Sequence, residues 1–148
     1  MKYIFSIILL LLSVGCSQQI GAYEFPPSPS GKIIIDNKEY QMEAGNYRWE
    51  RKQGFNTEVV QTDAASPYQI AEHFSPISSN SHSKVDIVIE NDPKITVYLW
   101  NKEGRLKEID IKNNQISIPE NKGRYIYEVV GQWDNGEVSY TFVVNIND

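Results

Sequence analysis

The chain has 148 residues, with 14 Lys and Arg against 19 Asp and Glu, a net charge of −5 and a single cysteine. An acidic balance argues against nucleic acid as a partner, because phosphate contacts need a concentrated excess of Lys and Arg. One thiol excludes an intramolecular disulfide, and one Cys with two distant His residues cannot make a multi-Cys zinc site.

Met1-Lys2 is a short positive start, Tyr3 to Leu12 an apolar run interrupted only by Ser6, and Ser13-Val14-Gly15 are mostly small. This order predicts a secretory signal peptide over residues 1–15. Its apolar core is about ten residues, half the ~20 of a spanning helix, and is not read as a retained transmembrane anchor. The stretch "LSVGC" ending at Cys16 resembles the lipobox of bacterial lipoproteins, with Ser13 where the family favours Leu. The resemblance implies a diacylglyceryl group on the Cys16 sulfur and cleavage in front of it. It also implies a place on the extracytoplasmic side of the cell membrane. Two acyl chains on one residue make a stable anchor, whereas one binds only marginally. The alternatives are an ordinary cleaved signal that leaves a free thiol, or a buried core cysteine. Cleavage removes Lys2 as the only charge of the leader, so the mature chain offers no polybasic second signal and the lipid must anchor it alone.

Residues 16–30, "CSQQIGAYEFPPSPS", are polar and then rich in Pro and Ser. Pro26, Pro27 and Pro29 favour extended polyproline backbone, so the segment is predicted to be a tether reaching about 40 Å at most. Tyr23 and Phe25 are its only aromatic residues and could dock on the domain.

From residue 31 to 148 the pattern is apolar–polar alternation with turn signals, the mark of one all-β domain. In "KVDIVIE" Val85, Ile87 and Ile89 share a face; in "ITVYLW" Ile95, Val97 and Leu99 do. "RYIYEVVGQW" places Tyr125, Tyr127, Val129 and Trp133 on one side, and "EVSYTFVVNI" places Val138, Tyr140, Phe142, Val144 and Ile146 together. Between these two, Asp134-Asn135-Gly136 accept positive φ and predict a tight hairpin. Asp36-Asn37, Asn101 to Gly104 and Asn113-Asn114 are further predicted turns. Strands recurring about every ten residues imply an antiparallel two-sheet sandwich.

One segment departs from this period. In "SPYQIAEHF" Ser66 can cap a helix, Pro67 suits its first position and Gln69 completes a capping box, which predicts one short helix with Ile70 and Phe74 turned inward. The following "SPISSNSHS" is predicted to be a mobile loop.

"NKGRYIYEV" resembles the Asp-x-Gly-x-Tyr-x-Cys stretch of immunoglobulin-like domains, with Asn121, Gly123 and Tyr125 at the matching positions. The resemblance implies a tyrosine corner at Tyr125 and, with Tyr127 in the place of the cysteine, no inter-sheet disulfide.

Catalytic residues are not apparent. There is no Gly-x-Ser-x-Gly elbow, and Ser81-His82-Ser83-Lys84 alternate in direction in a Ser-rich stretch read as a solvated loop. His73 and His82 have Glu72 and Asp86 nearby but no ligand spacing; His73 is read as a helix-end cation. Glu90 to Pro93 does not follow a calcium loop. No metal or cofactor is expected. If Ile95, Val97 and Leu99 face inward, Tyr98 and Trp100 face outward together, and Tyr47 and Trp49 form a second same-side pair. Such a pair can be a platform for a glycan, peptide or envelope protein, unless a tether or helix covers it. The resulting expectation is a membrane-anchored, non-catalytic binding or envelope-interaction module. The alternatives are a cell-wall enzyme accessory or small hydrolase, and a ligand sensor for a membrane protein.

Overall fold

The computed structural model describes residues 24–147. Cys16, the leader and the first part of the expected tether lie outside the described residues. The rest forms an antiparallel all-β sandwich with one short helix. Its strands are β1 (Gly31–Ile35), β2 (Lys38–Gln41), β3 (Glu43–Gln53), β4 (Asn56–Gln61), β5 (Ile77–Ser79), β6 (Lys84–Ile89), β7 (Lys94–Asn101), β8 (Gly104–Ile109), β9 (Gln115–Ser117), β10 (Gly123–Trp133) and β11 (Gly136–Ile146). The helix α1 (Pro67–His73) falls between β4 and β5.

One sheet has the order β2-β1-β6-β9; the other has the order β4-β3-β11-β10-β7-β8, with β5 added parallel to the end of β11. The run β11-β10-β7-β8 facing β1-β6-β9 is the strand order of the immunoglobulin-like sandwich, extended here by the β3-β4 hairpin along β11. Tyr125 makes the expected corner, its hydroxyl donating to the Asn121 carbonyl at 2.8 Å.

Alternation sets the core. Val85, Ile87 and Ile89 from one sheet meet Val97, Leu99, Tyr127, Val129, Val138, Tyr140, Phe142, Val144 and Ile146 from the other, all buried. Tyr127 and Phe142 stack with ring centroids 4.8 Å apart, and Trp49 leans on Trp133 at 5.1 Å. Trp49 is thus a core residue and Tyr47 packs against the same cluster, so this pair is no outward platform. Their positions in β3 point inward because β3 pairs with β11, opposing Tyr47 to Val138 and Trp49 to Gly136.

The turns follow their chemistry with one exception. Asp36-Asn37, Asn91-Asp92 and Asn113-Asn114 all take positive φ, the conformation of a twisted two-residue turn. Asp134-Asn135 close the β10-β11 hairpin without it. Glycine is needed at 136 for a different reason: a Cβ there would collide with the Trp49 ring and the Arg48 carbonyl. The Glu50 amide donates to the Asn135 carbonyl at 2.8 Å, tying this turn to β3.

The helix starts as expected. Ser66 accepts the Gln69 amide, and the Gln69 side chain accepts the Ser66 amide, with Pro67 in the first position. Its deepest residues are Pro67 and Ala71, whereas Ile70 and Phe74 are only half-buried. The small Ala71 lies against Ile126 and Val143 on the outer face of the larger sheet, and a bulky side chain there would lift the helix away. Arg124 donates to the Ala71 carbonyl near the helix end, where a cation is favoured. The expected loop after the helix instead contains β5, held because Ile77 is buried and Ile77 to Ser79 pair with Val144 to Ile146.

Part of the expected tether is docked. Pro29 is buried and its carbonyl accepts the Tyr140 hydroxyl at 2.7 Å; the Ser30 amide donates to Glu90 at 2.8 Å. Phe25 packs on the core edge with the Arg51 guanidinium 4.3 Å above its ring. Aromatic and proline surfaces give these residues enough apolar area to leave solvent.

Two buried tyrosines supply a contrast. Tyr140 has a partner for its hydroxyl, whereas the Tyr127 hydroxyl has none among the described residues. Tyr140→Phe should cost about 1–2 kcal/mol, and Tyr127→Phe should be neutral or stabilising, because it removes a buried polar atom that bonds to nothing. Urea unfolding of the two variants beside the parent checks this ordering.

Candidate functional site

The outer face of the larger sheet is divided in two. Over its upper part lies α1, with Tyr68, Ala71 and Phe74 packed around Ile126, Val143 and Trp100. The lower part is open, and forms a groove of ≈ 690 Å³.

Thr96 and Tyr98 of β7, Val130 and Gln132 of β10 and Ser139 of β11 line the groove from the central strands. Asn46 and Arg48 of β3 line it from one side, with Gln61, Thr62 and Asp63 at and just beyond the end of β4. The Ala64 amide donates to the Asn46 side chain at 2.6 Å, which holds the β4 exit against β3. Arg105 of β8 and Glu128 of β10 complete the lining.

Glu128 organises the groove's upper boundary. It is 5% exposed, although it sits on the sheet face that alternation assigns to solvent. Its carboxylate accepts the Trp100 indole N–H at 2.7 Å, Arg105 Nε at 2.7 Å and Nη2 at 3.1 Å, and the Ser139 hydroxyl at 2.9 Å. Burial alone would push this carboxyl up; the hydrogen bonds from Arg105, Trp100 and Ser139 outweigh it and hold the group below its ordinary value. The bond to Glu128 in turn raises the Arg105 guanidinium, which stays half exposed and stacks 4.0 Å from the Tyr98 ring centre. A carboxylate locked in this way is a poor general acid or base, because its proton affinity lies below the working range of such groups. It serves instead to fix three side chains from three other strands, β7, β8 and β11.

The structure therefore separates the two aromatic residues expected to act together. Tyr98 lines the groove, whereas Trp100 is tucked beside the helix with its N–H committed to Glu128. Both are half-buried. Arg105, Glu128, Asn46 and Asp63 were not marked by sequence reasoning. Their association depends on register, Glu128 lying opposite Tyr98 and Trp100 opposite Arg105, and no local pattern in the chain reveals it.

The histidines lie apart from this groove. His82 is exposed, at positive φ, 3.6 Å from an equally exposed Glu120. His73 lines a smaller open groove of ≈ 360 Å³ with Glu43, Gln69, Ile70 and Phe74, a set without a nucleophile. Ser83 donates to Asp36 rather than to a histidine. Among the described residues, no three His, Cys, Asp or Glu side chains come close enough together to hold a metal ion, and no helix is long and apolar enough to cross a membrane.

No protein-family model, curated protein or solved structure matches the chain.

Since the folded-state pKa of Glu128 is depressed, its contribution to stability is complete above the unfolded value of about 4.3 and is lost as pH falls towards the folded value. Glu128→Gln should cost about 1–2 kcal/mol at neutral pH, through the weakened bonds from Arg105 and Trp100. It should also flatten the decline in stability below pH ~4.3 relative to the parent. Denaturant midpoints across that acid range measure both effects.

Proposed function

We propose that this chain is a bacterial surface lipoprotein, anchored through a diacylglyceryl Cys16, whose sandwich is a non-catalytic binding module. The groove beside Tyr98 takes a polyhydroxylated ligand, a glycan of the cell envelope. The observation that carries the binding assignment is the groove itself: an open trough with amide, hydroxyl and charged side chains from six strands, the Tyr98 ring among them and Tyr47 at its side. Sugars present hydroxyls that need many donors and acceptors at fixed spacing, together with C–H faces that pack on an aromatic ring. The Glu128 network supports the reading by holding Tyr98 and Arg105 in place before a ligand arrives, which lowers the ordering cost of binding. The anchoring assignment rests on the leader and lipobox resemblance in residues 1–17.

In this reading the domain works close to the bilayer. With Phe25 docked, the chain from Cys16 to Phe25 spans at most ~30 Å. The groove then samples a shallow layer outside the membrane, where an envelope glycan is present at high local density and modest affinity suffices.

Two experiments separate the parts of this proposal. In Cys16→Ala, metabolic acyl labelling should vanish and the precursor should stay uncleaved; labelling that persists in the variant rules the anchor out. For the groove, calorimetric titration with envelope oligosaccharides should give binding that Tyr98→Ala weakens about tenfold, or ~1.4 kcal/mol. Equal binding by parent and variant would remove the groove from the function.

A further inference from the structure

Phe55 is the most exposed large hydrophobic residue among the described residues, at 110% of its reference area. It lies with Gly54 in the two-residue tip of the β3-β4 hairpin, between Gln53 and its partner Asn56. Gly54 takes φ 60°, which turns the chain tightly and leaves the phenyl ring projecting from the apex. The hairpin is not a frayed end. Arg51 and Gln53 both bond to Glu58 across it, and Glu50 is tied to Asn135.

Its direction is fixed by register. β3 leaves β11 at the Trp49–Gly136 pair, so residues 50–53 continue past the end of the larger sheet, paired only with β4. The N-terminal arm arrives at this same end. Gly31 pairs with Ile89 next to the β6-β7 turn, Ser30 bonds Glu90, and Phe25 lies under Arg51 of the hairpin itself. The chain that leads back to Cys16 thus leaves the domain beside the strand that carries Phe55.

We propose that the β3-β4 hairpin is a second membrane contact, with Phe55 inserted in the interface of the bilayer that holds Cys16. The inference rests on the lipoprotein reading above and adds an orientation to it. The tethered domain stands on its hairpin, with the β10-β11 turn facing the lipid and the opposite end, where Leu106 lies, facing away. Insertion is apolar rather than electrostatic. Arg51 is paired with Glu58 and Glu50 with Arg48, and Glu24 beside Phe25, Asp92 and Asp134 oppose any attraction by Lys52 and Lys94 at the same end. Ring burial follows the hydrophobic effect, which the anchor's proximity makes sufficient for a single side chain.

The test uses the full acylated chain. With Cys16 blocked by lipid, Phe55→Cys and Leu106→Cys each carry the sole free thiol for an environment-sensitive fluorophore. Both proteins are placed in phosphatidylcholine vesicles that contain a headgroup-proximal doxyl quencher, with and without added phosphatidylglycerol. Quenching several-fold stronger at 55 than at 106, and unchanged by the anionic lipid, supports the proposal. Equal quenching at both positions in protein that floats with the vesicles overturns it and leaves the anchor standing. Quenching at 55 only with anionic lipid overturns the apolar mechanism, and shielding from water without lipid quenching means that a second copy or another protein covers the tip. Protein that does not float with vesicles and carries no acyl group overturns the lipoprotein reading itself.

Discussion

The stack of Tyr127 on Phe142, at the centre of the β10-β11 hairpin, is the contact on which the other parts converge. It holds together the two strands that every other element of the larger sheet uses. β7 and β8 build outward from β10, β3 and β4 from β11, and β5 seats on the end of β11. The same hairpin provides Tyr140 for the N-terminal arm, and Ile126 and Val143 for the helix. Its upper half is therefore buried on both faces, an unusual condition for an antiparallel pair, whose outer face commonly meets water.

Burial on both sides explains why the groove lies where it does. The helix is only seven residues long and covers just the part of the outer face that carries Ile126, Val143 and Trp100, leaving Val130 in the groove. Below it β10 and β11 turn to Ser139, Gln132 and Glu137, which need solvent or a polar ligand, and the face stays open. Glu128 stands at the boundary of the two regions. It is enclosed by the helix-side Trp100 and reached from the groove side by Arg105, so one carboxylate joins the dry and wet halves.

Much of this was legible in the chain. Period-two runs such as Val85, Ile87 and Ile89 identify core faces, because a strand has only two sides and one must be apolar. Ser66, Pro67 and Gln69 announce the helix start through backbone donors that must be satisfied locally. What escaped the reading depends on distant partners. Ile77 to Ser79 form a strand only because β11 offers a free edge there. Tyr47 and Trp49 face the core because of which neighbour β3 meets. Asp134-Asn135 form the hairpin without positive φ, since the Trp49 ring rather than turn geometry demands Gly136. Glu128 alternates as a solvent-facing residue should, and its burial comes from Trp100 and Arg105 on neighbouring strands. Tyr98 is legible as an outward residue, but its separation from Trp100 depends on the helix, which packs against Trp100 alone and leaves Tyr98 in the groove.

The bond from Tyr140 to the Pro29 carbonyl has a mechanical side. Were the N-terminus held at a bilayer and a ligand gripped in the groove, pull on the ligand would pass through β11 to Tyr140 and from there into the arm. That path runs beside the covalent one from Pro29 through Gly31 into β1, so the load divides between the two layers of the sandwich. β1 and the rest of the smaller sheet would bear only the share that Gly31 passes on.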